Sequence, residues 1–498
     1  MKKLMGIAIT AAMLVPGQAS AEILKNLKVG GQIDIAATSG RNTSDFSTRG
    51  DTVGAAATTG QDRIGTVVTR TVINATWDLL DDVHATVGLR KNDRAWGAAG
   101  GAGQGATGSQ GINAAGGILG NTFVDQANIT VDKAVGHVDM TLGRQYYGEA
   151  GDLIIYFGVK DNYGLINTAI DAARFEAAND WLAFSGLAGK TAAGAFGPGT
   201  ADTNVRGFDL LWKSLPIKAH TYIWNRVTQG AGQLGVAPSA AAVGTVGKND
   251  NLWVYGVKLR GEAMGGWINA DIAANGGEDR TTLAGTAATA VGNNAHASNY
   301  TGKALLLDLG YNAELGGLGA LTPWVNFGYG TGRSSNLESR NEGFTSIATD
   351  YRPGILNRRF AQTGASAQNL GVGLLGGTGS ATAGLNNRVV YGLGLNFTPS
   401  KWEKLTVGTQ LWSFNLQRNT ATNAVPVAGA QSGAKHLGVE YGLTADWKHS
   451  ENIKYGFGGS IYQPGGFIKQ TIANTNTAAI NTGNNPALMT FADLSVRF

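Results

Sequence analysis

The six histidines are the residues best suited to bind a metal ion or transfer a proton, but their arrangement favours neither role. They show no metal-ligand spacing and are scattered along the chain at His84, His137, His220, His296, His436 and His449. The glycine-rich stretch 101–108 has glycines at nucleotide-loop-like spacing but lacks the Lys-Ser/Thr pair that would follow, and no G-x-S-x-G motif occurs. We therefore expect no enzymatic activity, no metal and no cofactor.

Charged and polar residues instead recur at every second position of segments whose other positions are apolar. In residues 69–78 the odd positions carry Thr, Thr, Ile, Ala and Trp, whereas the even positions include Arg70, Asn74 and Asp78. Successive side chains of a strand point to opposite faces, and a basic residue turned to lipid at mid-depth would cost about 2–4 kcal/mol. This parity predicts a polar face inside a barrel that carries Arg70, Arg90, Asn128, Arg174, Glu176, Lys258, Arg260, Asp271, Asp308, Arg388, Gln410 and Glu440.

The two-residue period recurs from one end of the chain to the other, in about eighteen segments. Each segment is near the length that crosses a bilayer at a tilt, and none contains the ~18 uninterrupted apolar residues of a membrane helix. The predicted strands are 28–38, 63–79, 83–91, 121–132, 137–146, 168–177, 181–190, 203–213, 217–228, 251–260, 266–275, 302–312, 319–330, 387–397, 404–414, 435–447, 453–463 and 487–498.

The connections between these segments alternate between short and long. Short links such as 133–136 and 449–452 are separated by long ones such as 96–120 and 331–385. Short periplasmic turns, long extracellular loops and an even strand count are typical of outer-membrane barrels. The sequence thus predicts an all-β fold, a transmembrane antiparallel β-barrel of about 18 strands that occupies residues 22–498 as one domain.

The first 21 residues indicate export. Lys2 and Lys3 precede an apolar run from Leu4 to Val15, and a small-residue cleavage site follows at Ala19-Ser20-Ala21, so we expect a signal peptide over residues 1–21. The chain contains no cysteine. Among the residue types that favour turns and loops, glycine (75 residues) is far commoner than proline (10 residues). Without Lys2 and Lys3 the charge is 37 basic against 35 acidic residues, or +2, which argues against nucleic-acid binding.

The last strand alternates up to Phe498, an aromatic C-terminus that resembles the signal by which barrel-assembly machinery recognises outer-membrane barrels. Closure of strand eighteen on strand one would leave no unpaired edge in the lipid. We therefore expect a protein of the outer membrane that contacts lipid and lipopolysaccharide. The sequence is compatible with a monomer and with a trimer.

With about eighteen strands the lumen is too wide for side chains alone to fill, so the sequence predicts a water-filled channel. The expected function is passive diffusion of small hydrophilic solutes, anions among them. Two alternatives stay open: export of an anionic polysaccharide, and a plugged barrel whose loops form an adhesin or scaffold. The constriction is expected from the apolar loop 148–171 or from the loop 331–386, facing a wall rich in inward glycines near Gly442.

Residues 142–176 carry a local resemblance, LGRQYYGEAGDL followed by IDAARFE. They resemble the alginate-export-type porins, an eighteen-stranded outer-membrane family whose channel is lined with basic residues that pass an anionic polysaccharide. The resemblance marks Gly143, Arg144, Gln145, Asp171 and Arg174, and adds Gln145 and Asp171 to the residues expected to line the pore. Simple alternation from Leu142 points Arg144 outward and Gln145 inward.

Overall fold

The computed structural model describes residues 25–43, 46, 63–95, 122–161, 165, 167–192, 202–215, 217–229, 249–279, 298–333, 340–360, 384–418, 434–469 and 484–498. The expected signal peptide, residues 1–21, lies outside these ranges. Eighteen long strands form the wall. They are β1 (Lys25–Arg41), β2 (Arg63–Leu80), β3 (Val83–Ala95), β4 (Phe123–Val135), β5 (Val138–Gln145), β6 (Ile170–Ala178), β7 (Leu182–Ala192), β8 (Thr203–Trp212), β9 (Lys218–Thr228), β10 (Asp250–Ala263), β11 (Gly266–Asp279), β12 (Lys303–Tyr311), β13 (Gly319–Gly330), β14 (Arg388–Pro399), β15 (Leu405–Leu416), β16 (His436–Lys448), β17 (Ile453–Pro464) and β18 (Ala487–Arg497).

Each long strand pairs antiparallel with the next, and β18 returns to pair with β1, from Gln32 opposite Arg497 to Arg41 opposite Leu488. The sheet is therefore a closed antiparallel barrel of eighteen strands, and the predicted fold class is confirmed. Every predicted strand corresponds to one observed strand, because a period of two is a direct consequence of strand geometry.

Phe498 completes the seam between the last strand and the first. Its backbone N–H donates to the Gly31 carbonyl at 3.0 Å, and the Gly31 N–H donates to the Phe498 carbonyl at 2.8 Å. A Cβ on Gly31 would lie 2.6 Å from the Phe498 ring, so the glycine leaves room for that ring.

The connections separate the barrel into two ends. At the short-turn end, which also holds both ends of the described chain, neighbouring strands are joined by links such as 81–82 and 264–265. At the long-loop end, the connections include 42–62, 96–122 and 331–387. The alternation predicted from the sequence is thus present around the whole wall.

The two faces of the wall differ in chemistry. Large apolar side chains such as Ile272, Leu393 and Tyr441 are half exposed on the outer face, and their strand neighbours Asp271, Gly392 and Glu440 face inward. This exposed apolar surface surrounds the barrel, as expected for a wall in contact with hydrocarbon. Among the described residues, no helix is long and apolar enough to cross a membrane.

Within the described ranges, two connections cross the interior of the barrel. Inner loop 1 comprises the described residues of 146–169 between β5 and β6, and inner loop 2 comprises residues 340–360 between β13 and β14, including helix α1 (Ile355–Phe360). The remaining elements are short: strands Tyr147–Gly148, Tyr156–Phe157, Ser298–Tyr300, Ala313–Glu314 and Arg340–Asn341, and 3-10 helices Gly316–Leu318 and Ser400–Trp402.

Candidate functional site

The inner wall carries almost all of the residues that the sequence predicts for the pore. Inward parity holds for Arg70, Arg90, Asn128, Gln145, Arg174, Glu176, Lys258, Arg260, Asp271, Asp308, Arg388, Gln410 and Glu440, each on the face opposite the exposed apolar residues of its strand. The position of a residue in the strand shows which face its side chain is on. It does not show whether that side chain contacts water or protein.

Asp171 is the exception. It alternates with buried Ile170 and Ala172 on β6, so it lies on the outer face, opposite to Arg174 and Glu176. Arg144 lies directly across from it on β5 and pairs with its carboxylate at 3.3 Å, as the outward parity of Arg144 predicts. The expectation that Asp171 lines the pore therefore fails, because residues an odd number of positions apart in a regular strand cannot share a face with each other.

Arg70 of β2 holds inner loop 1 against the wall. Its Nε and Nη2 donate to the Asp34 carboxylate of β1 at 2.9 and 2.6 Å. Its Nη1 donates to the Lys160 carbonyl at 2.6 Å, to the Leu165 carbonyl at 3.1 Å and to the Asn167 side-chain oxygen at 2.9 Å. This fully buried guanidinium is thus an anchor for the loop and not a residue in contact with solute.

A second anchor forms around Asp125. Arg90 of β3 donates to its carboxylate at 2.8 Å, and the Tyr146 hydroxyl and the Asn167 side-chain nitrogen donate to the same group at 2.8 and 2.7 Å. The β3–β4 register shifts between Gln126 and Val124, so Asp125 sits in a bulge and faces inward beside Gln126. Regular alternation would not find this residue.

Inner loop 1 reaches the opposite wall through Asp152. One oxygen of its carboxylate accepts the backbone N–H groups of Ile154 and Ile155, at 2.6 and 3.1 Å. The other oxygen pairs with the Lys258 ammonium of β10, and both side chains are nearly buried. A lysine expected to line the pore therefore fixes the tip of the loop across the lumen.

The two inner loops are bonded to each other inside the barrel. Ile155 and Ala348 form a parallel bridge, with the Tyr156 N–H donating to the Ala348 carbonyl at 2.7 Å and the Ala348 N–H donating to the Ile154 carbonyl at 3.0 Å. The Asp350 N–H also donates to the Asp152 carbonyl at 2.8 Å. Hydrogen bonds between the two main chains thus hold the loops together across the lumen.

Charged pairs reinforce this junction. Arg352 of inner loop 2 pairs with Asp161 of inner loop 1 at 2.8 Å and with Asp350 at 3.1 Å. Lys160 lies 3.8 Å from Asp350, and burial lowers the pKa of this lysine from 10.5 to about 8 although the carboxylate opposes that shift. Strand alternation does not identify these residues, because they lie in loops and the pairs between the two loops join positions about 190 residues apart.

Inner loop 2 is held by the wall on the other side. Glu440 of β16 accepts the N–H groups of Ile355 and Leu356 at the start of α1, at 2.8 and 2.7 Å. A Cβ on Gly442 would collide with Ile355, so this inward glycine does leave room for a loop, as predicted. The Tyr351 hydroxyl donates to the Asn326 side-chain oxygen of β13 at 2.7 Å.

Apolar side chains fill the space between these polar contacts. Leu153 and Ile154 of inner loop 1 and Phe344 and Leu356 of inner loop 2 are buried in one cluster with inward residues of the wall, such as Trp224. The long-loop half of the barrel therefore has a packed interior, and both candidate loops, 148–171 and 331–386, contribute to it where they are described.

In the short-turn half of the barrel, by contrast, the inner wall is wetted, meaning that its polar side chains remain exposed to water in the lumen. Arg174 and Glu176 of β6 pair with each other while 30% and 41% of their side chains stay exposed. Arg260 of β10 donates to the Leu259 and Ala270 carbonyls at 3.1 and 3.2 Å, and no carboxylate within the described residues pairs with it. His84 bridges Asp78 and Asp132 at 2.6 and 3.1 Å.

The other predicted pore residues divide between these two environments. The Asp271 carboxylate accepts the Tyr222 hydroxyl at 2.7 Å, and the Asn128 side chain donates to the Arg144 carbonyl at 2.9 Å. Gln145 and Arg388 are buried. Asp308 accepts a hydrogen bond from Asn326, and Gln410 accepts one from the Trp412 indole at 2.7 Å.

No group of three or more histidine or acidic side chains in the described ranges is arranged to hold a metal ion. In the long-loop half of the lumen, hydrogen bonds and ion pairs fix the inner loops. In the short-turn half, polar side chains remain in contact with water. Such an arrangement acts on a solute by replacing its hydration and by shaping the local field.

Solved outer-membrane channels resemble this architecture. OccD3 (OpdP) of Pseudomonas aeruginosa superposes with a TM-score of 0.51 over 96% of this chain and 92% of that chain, at 9% identity. The outer membrane protein opdK from the same organism gives a TM-score of 0.51 over 95% of this chain and 99% of that one, at 8% identity. No protein-family model and no curated protein matches the sequence. At such low identity the likeness shows the fold alone.

The resemblance to alginate-export-type porins is not supported. The structural neighbours belong to a different group of outer-membrane channels. Of the motif residues, Gly143 has a positive φ of 119° and serves the backbone of β5, while Arg144 and Asp171 pair on the outer face. The motif is therefore explained by local strand geometry and an outer ion pair.

Proposed function

We propose that this chain is an outer-membrane porin, a water-filled barrel through which small hydrophilic solutes diffuse passively. The observation that carries the proposal is the two-faced closed wall of eighteen strands, apolar outside and polar inside, which is narrowed in its long-loop half by two anchored loops. We also propose that residues 1–21 are removed on export and that the short-turn end faces the periplasm.

The inner loops give this porin its selectivity by size. They fix main chain and apolar side chains across the lumen, so only small solutes fit beside them, whereas a bulky polysaccharide does not. A barrel whose loops serve adhesion needs no wetted inner wall, yet the pairs at Arg174 and His84 lie on such a wall. Neither the exporter nor the adhesin is favoured.

The charge preference of the channel depends on the inward cations that remain unneutralised. Arg70, Arg90 and Lys258 are each paired with a buried carboxylate, so they add little net field. Arg260 lies on the wall in contact with water and forms no ion pair within the described residues, although Asp271 and Asp308 lie within its field. We propose Arg260 as the main attractant for anionic solutes.

The test is conductance in a planar bilayer. We expect the purified protein to insert in discrete steps, each with a fixed conductance, and to show size-limited permeation of neutral sugars in liposome swelling. As a matched control, Tyr255→Phe on the outer face of β10 should leave both readings unchanged. Membrane insertion without any conductance steps would refute the porin and favour a plugged barrel.

A further inference from the structure

The outer face of the barrel is not uniformly apolar at its long-loop edge. On β5 to β7 a row of charges crosses the wall, in which Arg144 lies opposite Asp171 and Asp171 lies opposite Lys190. Arg144 pairs with Asp171 at 3.3 Å, and Lys190 pairs with Asp202 at 2.6 Å. The outward aromatic residues of the same strands lie nearer the short-turn end, so the row marks the edge of the apolar surface.

Arg206 of β8 lies two residues nearer the membrane centre than this row, opposite Ala188, whereas Lys190 lies opposite Asn204. Its Nε donates to the Asn225 side-chain oxygen of β9 at 3.1 Å, and this bond fixes the plane of the guanidinium. Neither of its terminal nitrogens donates to an atom of the described residues. The two cations of the row are paired with Asp171 and Asp202, so Arg206 adds one unpaired positive charge just below the row among the described residues, on a side chain held in place with donors to spare.

Two concavities meet at Arg206. The one nearer the long loops has a volume of about 230 Å³ and is lined by Asn204, Arg206, Asn225 and Val227. The one nearer the membrane centre has a volume of about 380 Å³, and its walls include Phe175, Phe184, Phe208 and Trp253. Gly186 and Ala188 form part of its floor, where the lack of bulky side chains makes the groove. A hollow bordered by Arg206 and two asparagines thus adjoins an aromatic groove.

We propose that this surface binds a phosphorylated, acylated glycolipid of the outer leaflet, of the lipid A class. A phosphate accepts hydrogen bonds from the terminal nitrogens of Arg206, with Lys190 adding charge, and an acyl chain lies in the groove between Phe184, Phe208 and Trp253. The inference rests on the proposed function, which places the long-loop edge at the outer leaflet. Guanidinium groups are suited to phosphate because their donors match its oxygens in pairs.

The order of chemistry along the wall favours a lipid over a second copy of the chain. The hollow at Asn204, then the Arg206 cation, then the apolar groove follow one another from the headgroup level towards the membrane centre, which is the order of phosphorylated headgroup and acyl chain in such a lipid. A flat apolar patch would instead suit a protein partner, and the groove is concave.

The experiment compares wild-type protein with Arg206→Gln by native mass spectrometry of detergent-solubilised protein titrated with bis-phosphorylated lipid A. We expect about a tenfold weaker apparent affinity for the variant, since a charge-assisted bond to phosphate is lost. Lipid A without phosphates should bind the wild type as weakly as the intact lipid binds the variant. Ala188→Leu, which fills the groove with an apolar side chain, should weaken binding of both lipids.

Lys303→Gln is the matched control, because Lys303 is also an exposed, outward cation at the long-loop edge, on β12, where it lines neither hollow. It should bind lipid A as the wild type does. Equal binding by wild type and Arg206→Gln, equal binding of the two lipids, or dimerisation in place of lipid binding would each overturn the proposal. Because Arg206 faces away from the lumen, the conductance of Arg206→Gln should equal that of the wild type. Absence of conductance in the wild type would refute the porin, and it would leave the lipid-binding comparison unaffected.

Discussion

The two halves of the barrel have the same wall and different interiors. Both halves turn apolar residues outward, yet Arg70 and Glu440, beside the inner loops, are 2% and 1% exposed, whereas the side chains of Arg174 and Glu176 remain in contact with water. The difference comes from two loops that return 20 or more residues of chain to the lumen. Inward parity therefore determines where a side chain points, and the loops determine whether it anchors protein or meets solute.

The largest expected effect comes from breaking the contact between Asp152 and Lys258. Lys258→Met leaves the Asp152 carboxylate buried without a cation, at a cost of about 3–5 kcal/mol to the anchoring of inner loop 1. We expect the loop to detach, which should raise single-channel conductance and its noise in a planar bilayer.

A paired variant controls for this change. Lys258→Met combined with Asp152→Asn removes both charges and keeps the oxygen that accepts the Ile154 and Ile155 N–H groups. It should recover most of the wild-type conductance. If the single variant conducts like the wild type, the loop is not held by this pair.

Glu440→Leu tests the second loop. The substitution leaves the N–H groups of Ile355 and Leu356 without an acceptor, and each buried unsatisfied donor costs about 1–3 kcal/mol. We expect faster cleavage of the 340–360 region in limited proteolysis, with a smaller rise in conductance than Lys258→Met. Glu440→Gln, which keeps one acceptor, should be cleaved at an intermediate rate; equal rates for all three proteins would contradict the contact.

Gly143→Ala disturbs the wall without touching either inner loop's anchors. Gly143 has a φ of 119°, and its Cβ would collide with the Ala127 carbonyl of β4. Strain of about 1–3 kcal/mol should lower the unfolding temperature in detergent. Gly65→Ala on β2, where a Cβ meets nothing within 4 Å, should leave that temperature unchanged or slightly higher. A similar response of both variants would disprove the steric argument.

Arg260→Gln tests the role of the inner wall in the short-turn half of the barrel. Removing an inward cation that forms no ion pair in the described part of the chain should shift the reversal potential across a salt gradient towards lower anion preference. Lys258→Met with Asp152→Asn removes one charge of each sign and should shift it little. A larger shift in the double variant than in Arg260→Gln would show that the loops, and not the wetted wall, set the charge preference.

The smallest effect concerns pH. The pKa of Lys160 is lowered by burial to about 8, below the 10.5 of an unfolded lysine, so between these values the unfolded chain holds a proton that the folded protein lacks. The contribution of Lys160 to the free energy of unfolding should therefore rise as pH increases from 8 to 10.5, and the difference between wild type and Lys160→Met measures it. Anion preference should fall slightly from pH 7 to 9 as the lysine loses its charge beside Asp350 and Arg352. Lys160→Met should abolish both trends.

The sequence by itself determined the wall. A period of two needs only local geometry, so it identified eighteen strands, their faces, the short and long connections and the inward side of all but one predicted pore residue. Asp171 was misplaced because a family resemblance was followed where parity on β6 pointed outward. Asp34 was also within reach, since it alternates with Ile33 and Ile35 on β1.

Only the tertiary structure decided what the inward residues do. Asp125 faces inward because of a bulge, and its partner Arg90 lies 35 positions away. The contacts of Asp152 with Lys258 and of Asp161 with Arg352 join residues still farther apart, up to 191 positions. No local pattern encodes such contacts, because a loop's path through the lumen depends on the shape and charge of the whole wall around it. The same long-range placement puts a hollow bordered by Arg206 next to an aromatic groove on the outside.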